Sequence, residues 1–82
     1  MINNFPYKPI KGELHWLDAQ SKTGWVNEKE IKELKPATCI TKGWIFEETK
    51  DYIKTFSTYS IDSEGAVEFG EILVIPKNWI IK

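Results

Sequence analysis

Arginine is absent: all 11 basic residues in this 82-residue chain are lysine. Arginine is the usual bidentate reader of guanine and phosphate, whereas lysine offers a mobile point charge. With a formal net charge of −1 there is also no basic excess of the kind that phosphate backbones attract. Cysteine and histidine occur once each, as Cys39 and His15. A lone cysteine excludes an intrachain disulfide and agrees with a reducing compartment. One Cys and one His do not build a zinc site without carboxylates or a second chain, so no metal and no cofactor is expected. Long hydrophobic runs are missing too. The longest, Ile72-Leu73-Val74-Ile75, is far too short to span a bilayer. The N-terminal residues lack the basic and apolar regions of a signal peptide. A cytoplasmic, membrane-free location is the expectation. No glycine-rich cluster opens a helix, which removes the usual phosphate-cradling loop.

What the chain has in quantity is aromatic residues, at 13%, including four tryptophans. Each is followed by an aliphatic residue: Trp16-Leu17, Trp25-Val26, Trp44-Ile45 and Trp79-Ile80. A chain of this length forms one domain and buries only about 60% of its unfolded surface. Each buried aromatic then matters, at roughly 1.5–3 kcal/mol. The tryptophans divide between a small core and any surface used for a partner.

Residues 1–11 hold Pro6 and Pro9, show no period, and read as an extended or loosely packed arm. Residues 12–82 read as a single small domain. Glu13 to Asp18 alternates, with Leu14 and Trp16 on one face, as in a strand. After a polar loop ending at Gly24, Asn27 and Glu30 have capping-box spacing. They announce a short helix with Ile31 and Leu34 on its apolar stripe and Pro36 as its stop. So short a helix needs a sheet to lie on. Thr38–Thr41 and Trp44–Phe46 flank Gly43, a bend or bulge within one long strand. Tyr52–Ser60 is rich in β-formers, with Lys54, Phe56 and Thr58 on one face and Thr55, Ser57 and Tyr59 on an amphipathic one, as in a half-buried strand. A turn over 61–65 leads into a strand from Ala66 to Ile75. Pro76-Lys77-Asn78 makes a tight corner before a last strand, Trp79-Ile80-Ile81. The expectation is a mainly β fold: a five-stranded SH3-like small barrel, with one short helix between the first two strands plugging a barrel end. A two-layer α+β sheet is the alternative.

Several segments carry a likeness to known proteins. They are Trp16-Leu17-Asp18, Trp25, the acidic helix of residues 28–34 closed by Pro36, Lys42-Gly43-Trp44-Ile45, Lys50-Asp51-Tyr52-Ile53 and Ile75-Pro76-Lys77. On these the chain resembles a broad group of small uncharacterised proteins encoded by phages and prophages, over roughly residues 13–82. The resemblance implies origin and a compact β-rich fold. It also implies binding of a host protein, a nucleic acid or a signalling nucleotide, with no catalytic motif.

Enzymatic chemistry has little support. Cys39 and His15 lie on separate expected strands, and an isolated half-buried cysteine behaves as a small hydrophobe. Glu47/Glu48 and Glu68/Glu71 read as solvated surface. A partial echo joins Lys22-Thr23-Gly24-Trp25-Val26 to Thr41-Lys42-Gly43-Trp44-Ile45. In both, a glycine before an aromatic permits close approach of a partner. Trp25, Trp44, Tyr59 and Lys42 are therefore the candidate partner-binding residues. Trp16 is the best core candidate, and Trp79 the ring expected to close the barrel. The function expected is non-enzymatic protein binding, to a host protein or a second copy of the chain. Single-stranded nucleic acid or a small nucleotide, stacked on Tyr59 and Trp44 beside lysines, is the alternative.

Overall fold

A computed structural model describes residues 5–81. In chain order its elements are β1 (Lys8–Pro9), β2 (Leu14–Asp18), α1 (Glu28–Glu33), β3 (Ala37–Thr41), β4 (Trp44–Glu48), β5 (Tyr52–Ile61) and β6 (Val67–Pro76). A 3₁₀ turn follows over Lys77–Trp79. The fold is mainly β. The strands form a four-stranded antiparallel sheet in the order β1-β4-β5-β6 and a two-stranded sheet of β2 and β3. These are six strands in two open sheets, where five in one barrel were expected.

The bend at Gly43 is where one sheet becomes the other. Gly43 has φ 133, outside the range most side chains tolerate, and a Cβ there would collide with the carbonyl of Phe56. Its own carbonyl accepts a 2.7 Å hydrogen bond from the Ile10 amide. That bond fastens the N-terminal arm next to the bend, and Lys8 and Pro9 pair with Ile45 and Trp44. The arm is thus a sheet edge rather than a loose lead-in. Pro9, lacking an N–H, is tolerated there because only one side of the strand is paired.

Where β5 is paired with β6, Ile53 and Ile75 face each other, and both are buried. They form a cluster with Trp16 of β2, flanked by Leu14, Cys39, Ile45 and Ile80. This cluster joins the two sheets. The Trp16 indole N–H donates a 2.9 Å hydrogen bond to the buried Thr41 hydroxyl, so the ring's one polar atom is satisfied inside the core. Ile80 bridges to Trp16, and the Ile81 amide donates to the His15 carbonyl. The corner after Pro76 therefore returns the chain to β2, as its residues suggested. It does so through a 3₁₀ turn and a single bridge, where a strand Trp79-Ile80-Ile81 was expected. Trp79 falls within the turn and stays 39% exposed, so it does not close the core.

The helix forms where its cap predicts. The Glu30 amide donates to Asn27 Oδ1 at 2.8 Å, and the Asn27 amide donates to Glu30 Oε1 at 3.2 Å. It does not lie on a sheet or plug an end. None of its residues is buried, and Ile31 and Leu34 are exposed. With the hairpin of β5 and β6 reaching away from the core, this gives an elongated molecule of 57 × 26 × 21 Å. Its radius of gyration is 17.2 Å, against about 12 Å for a compact domain of this length.

Candidate functional site

The two faces of the four-stranded sheet differ. One carries Ile53 and Ile75 against β2 and β3. The other carries aromatics. Phe56 of β5, with 0% of its surface exposed, lies at their centre. Trp44, its cross-strand partner, stacks on it with ring centroids 5.5 Å apart. Phe69 of β6 meets Phe56 edge-on at 4.7 Å, and Tyr7 from the arm meets it edge-on at 5.5 Å. Phe5 stacks on Tyr59 at 4.8 Å. A shift of register between Ile45 and Glu47 leaves Phe46 as an extra, unpaired residue of β4. The bulge aims Phe46 at Tyr7, on which it stacks at 5.2 Å, and at Phe69. Edge-to-face and offset pairs of this kind add roughly 0.5–1.5 kcal/mol each beyond burial.

Strict alternation puts Phe56 and Tyr59 on opposite faces, yet they share this cluster. The change of face coincides with an irregularity in the ladder. Ser57 and Glu71 are the unpaired position between Phe56↔Ile72 and Thr58↔Gly70, and Glu71 has φ 53. Thr55, on the amphipathic face, is fully buried.

Beside the cluster is an apolar recess of about 360 Å³, lined by Phe46, Lys54, Thr55, Phe56, Phe69, Ile72 and Val74. Lys54 is its one charged residue. The Lys54 ammonium bonds Glu47 Oε1 at 3.0 Å and lies 5.5 Å from the Tyr52 ring centre. The hydrogen bond to Glu47, reinforced by that carboxylate's charge, holds the Lys54 pKa above the ordinary 10.5. The lysine is thus cationic and already engaged at the rim. On the open side, β6 is the last strand of the sheet, and Ile72, Leu73 and Val74 are 59%, 37% and 55% exposed. A ten-residue edge strand with three consecutive exposed aliphatics is a template for another strand.

Of the residues singled out from sequence, Trp44 and Tyr59 come together, edge-on at 5.2 Å. Trp44 was expected at the surface; it is half-buried, with one ring face occupied by Phe56. Lys42 is near them in the chain fold. Its carbonyl accepts a 2.9 Å bond from the Ser57 hydroxyl, and its ammonium lies 3.8 Å from Glu13. Trp25 is elsewhere, fully exposed in the excursion between β2 and β3. Sequence reasoning missed Phe46, Phe69, Ile72 and Val74 as parts of a surface. The run 72–75 was visible, but its position at a sheet edge was not.

Among the described residues, no group of three or more His, Cys, Asp or Glu side chains is placed to hold a metal ion, and no helix is long and apolar enough to cross a membrane. Comparison with protein-family models, curated proteins and solved structures finds no match.

Proposed function

We propose that this chain is a non-enzymatic protein-binding module of phage or prophage origin, acting in the cytoplasm through the β6 edge and the recess beside it. The observation that carries the reading is the exposed run Ile72-Leu73-Val74 on a free sheet edge, directly beside an aromatic-walled recess. Such an edge supplies main-chain hydrogen bonds to an added strand, and the recess supplies a place for its side chains. We further propose that the two sheets are the halves of an SH3-like arrangement. In it, β3 and β4 are one strand bent at Gly43, and the 3₁₀ turn leads to the last pairing, Ile80 with Trp16.

A randomised peptide-display selection against the immobilised protein tests this, with an Ile72→Glu/Val74→Glu double variant as counter-target. Extended peptides rich in β-branched and aromatic residues should be enriched on the wild type and lost on the variant. Equal recovery on both refutes the assignment of the surface. Enrichment of oligonucleotides or mononucleotides in a parallel titration would favour the nucleotide reading instead.

A further inference from the structure

Resting on that reading, we infer that the strand received by β6 is β6 of a second copy, paired antiparallel about a two-fold axis at Leu73. Three features of the strand point to self-pairing. The first is its chemical symmetry. About Leu73, Ile72 falls opposite Val74 of the second copy, and Val74 opposite its Ile72. Within one chain Ile72 pairs with Phe56 and Val74 with Lys54, so both side chains are on the recess side, while Leu73 pairs with Thr55 on the other. Two-fold pairing keeps those faces in register and joins the two recesses into one apolar surface.

The second feature is charge. Acidic residues, Glu68 and Glu71, precede the aliphatic run, and Lys77 follows it. Antiparallel pairing sets each acidic half toward the other copy's C-terminal end of β6, where the 3₁₀ turn carries Lys77 just past Pro76. Lys77 already bonds Glu48 at 2.6 Å, and its ammonium has three donors, enough for a second carboxylate. A parallel, in-register arrangement would instead place Glu68 and Glu71 beside their own counterparts, where like charges repel.

The third feature is that the window is bounded at both ends. Pro76 has no N–H and ends the strand. In this register it falls opposite Gly70, just beyond the irregular Glu71. The pairing is confined to residues 71–75, with the exposed aliphatics Ile72, Leu73 and Val74 at its centre. The product is a continuous eight-stranded sheet, β1-β4-β5-β6 of one copy followed by β6-β5-β4-β1 of the other.

Because Leu73 meets its own counterpart on the axis, charge exchange at this position gives a specific test. Sedimentation equilibrium over a micromolar-to-millimolar range should show the wild-type mass doubling. L73K and L73E should each remain monomeric, and an equimolar mixture of the two should recover the doubled mass. Circular dichroism of each variant checks the fold. If either variant unfolds, amide exchange of the wild type decides: protection at residues 71–75 should rise with protein concentration. A wild type that stays monomeric throughout, or a dimer that both single variants leave intact, overturns the proposal. In the first case the peptide selection still decides the binding-module reading. In the second, self-association stands but uses another surface.

Discussion

Replacing Phe56 should separate the interior of this molecule from its surface more sharply than any tryptophan. Phe56 is wholly buried and touches rings from the arm, β4, β5 and β6. A domain of this length has a total stability of about 4–12 kcal/mol. Phe56→Ala removes about 3–5 kcal/mol, enough to unfold much of the population. Phe56→Leu is the informative change. It keeps most of the volume, forfeits the ring contacts, and should cost about 1–2 kcal/mol. That corresponds to a fall in Tm of roughly 4–16 °C for a domain of this size. Urea denaturation followed by far-UV circular dichroism measures it, with Trp25→Ala as the control. Trp25 is fully exposed, so its loss should shift stability by less than about 0.5 kcal/mol. A double-mutant cycle of Trp44→Leu with Phe56→Leu should report a coupling of about 0.5–1.5 kcal/mol for the stacked pair. If Phe56→Leu were as neutral as Trp25→Ala, the aromatic face would not be part of the folded core. The recess beside it would then not be a preformed feature of the molecule.

Two further outcomes follow from particular side chains. Thr55 is buried with its hydroxyl oxygen unpartnered, so Thr55→Val, which removes a desolvated polar atom at constant shape, should be neutral or stabilising by up to about 1 kcal/mol in urea melts; a loss of more than that would mean the hydroxyl has a partner. The Lys54 pKa is raised above 10.5 in the folded state by its hydrogen bond to Glu47, so the pair's contribution is complete below that pH and is lost as pH rises through the folded-state value. Glu47→Gln should return the Lys54 Nζ titration, followed by NMR, toward the ordinary value and flatten the alkaline fall of the urea midpoint; an unchanged titration refutes the pairing.

The sequence carried local information well. The capping box at Asn27 and Glu30, the bend at Gly43, the strand from Tyr52 and the corner at Pro76 are each written in a few adjacent residues, and each is present. Trp16 was legible as core because it alternates with Leu14 in a regular strand. What was hidden depends on contacts between distant segments. The arm has no period, yet Phe5 and Tyr7 are held by rings on β4, β5 and β6. Trp44 follows a glycine bend, as surface residues often do, but its β5 partner is Phe56. Tyr59 and Phe56 are three apart in a strand, and a simple alternation cannot join them without the break opposite Glu71. The helix stripe Ile31–Leu34 implied a supporting sheet, and amphipathicity alone does not say that the sheet is in the same chain.

At the foot of the excursion between β2 and β3, Asp18 pairs with Ala37, closing the hairpin at its last rung. Everything from Ala19 to Pro36 therefore hangs from one pair of residues, with α1 contributing nothing to the interior. This makes it an exchangeable cassette. The loop can be shortened, replaced or given a different apolar stripe while Trp16 and Thr41 keep their bond beneath it. Because none of the helix is buried and Trp25 is fully exposed, substitutions within the cassette leave the packing of the two sheets as it is.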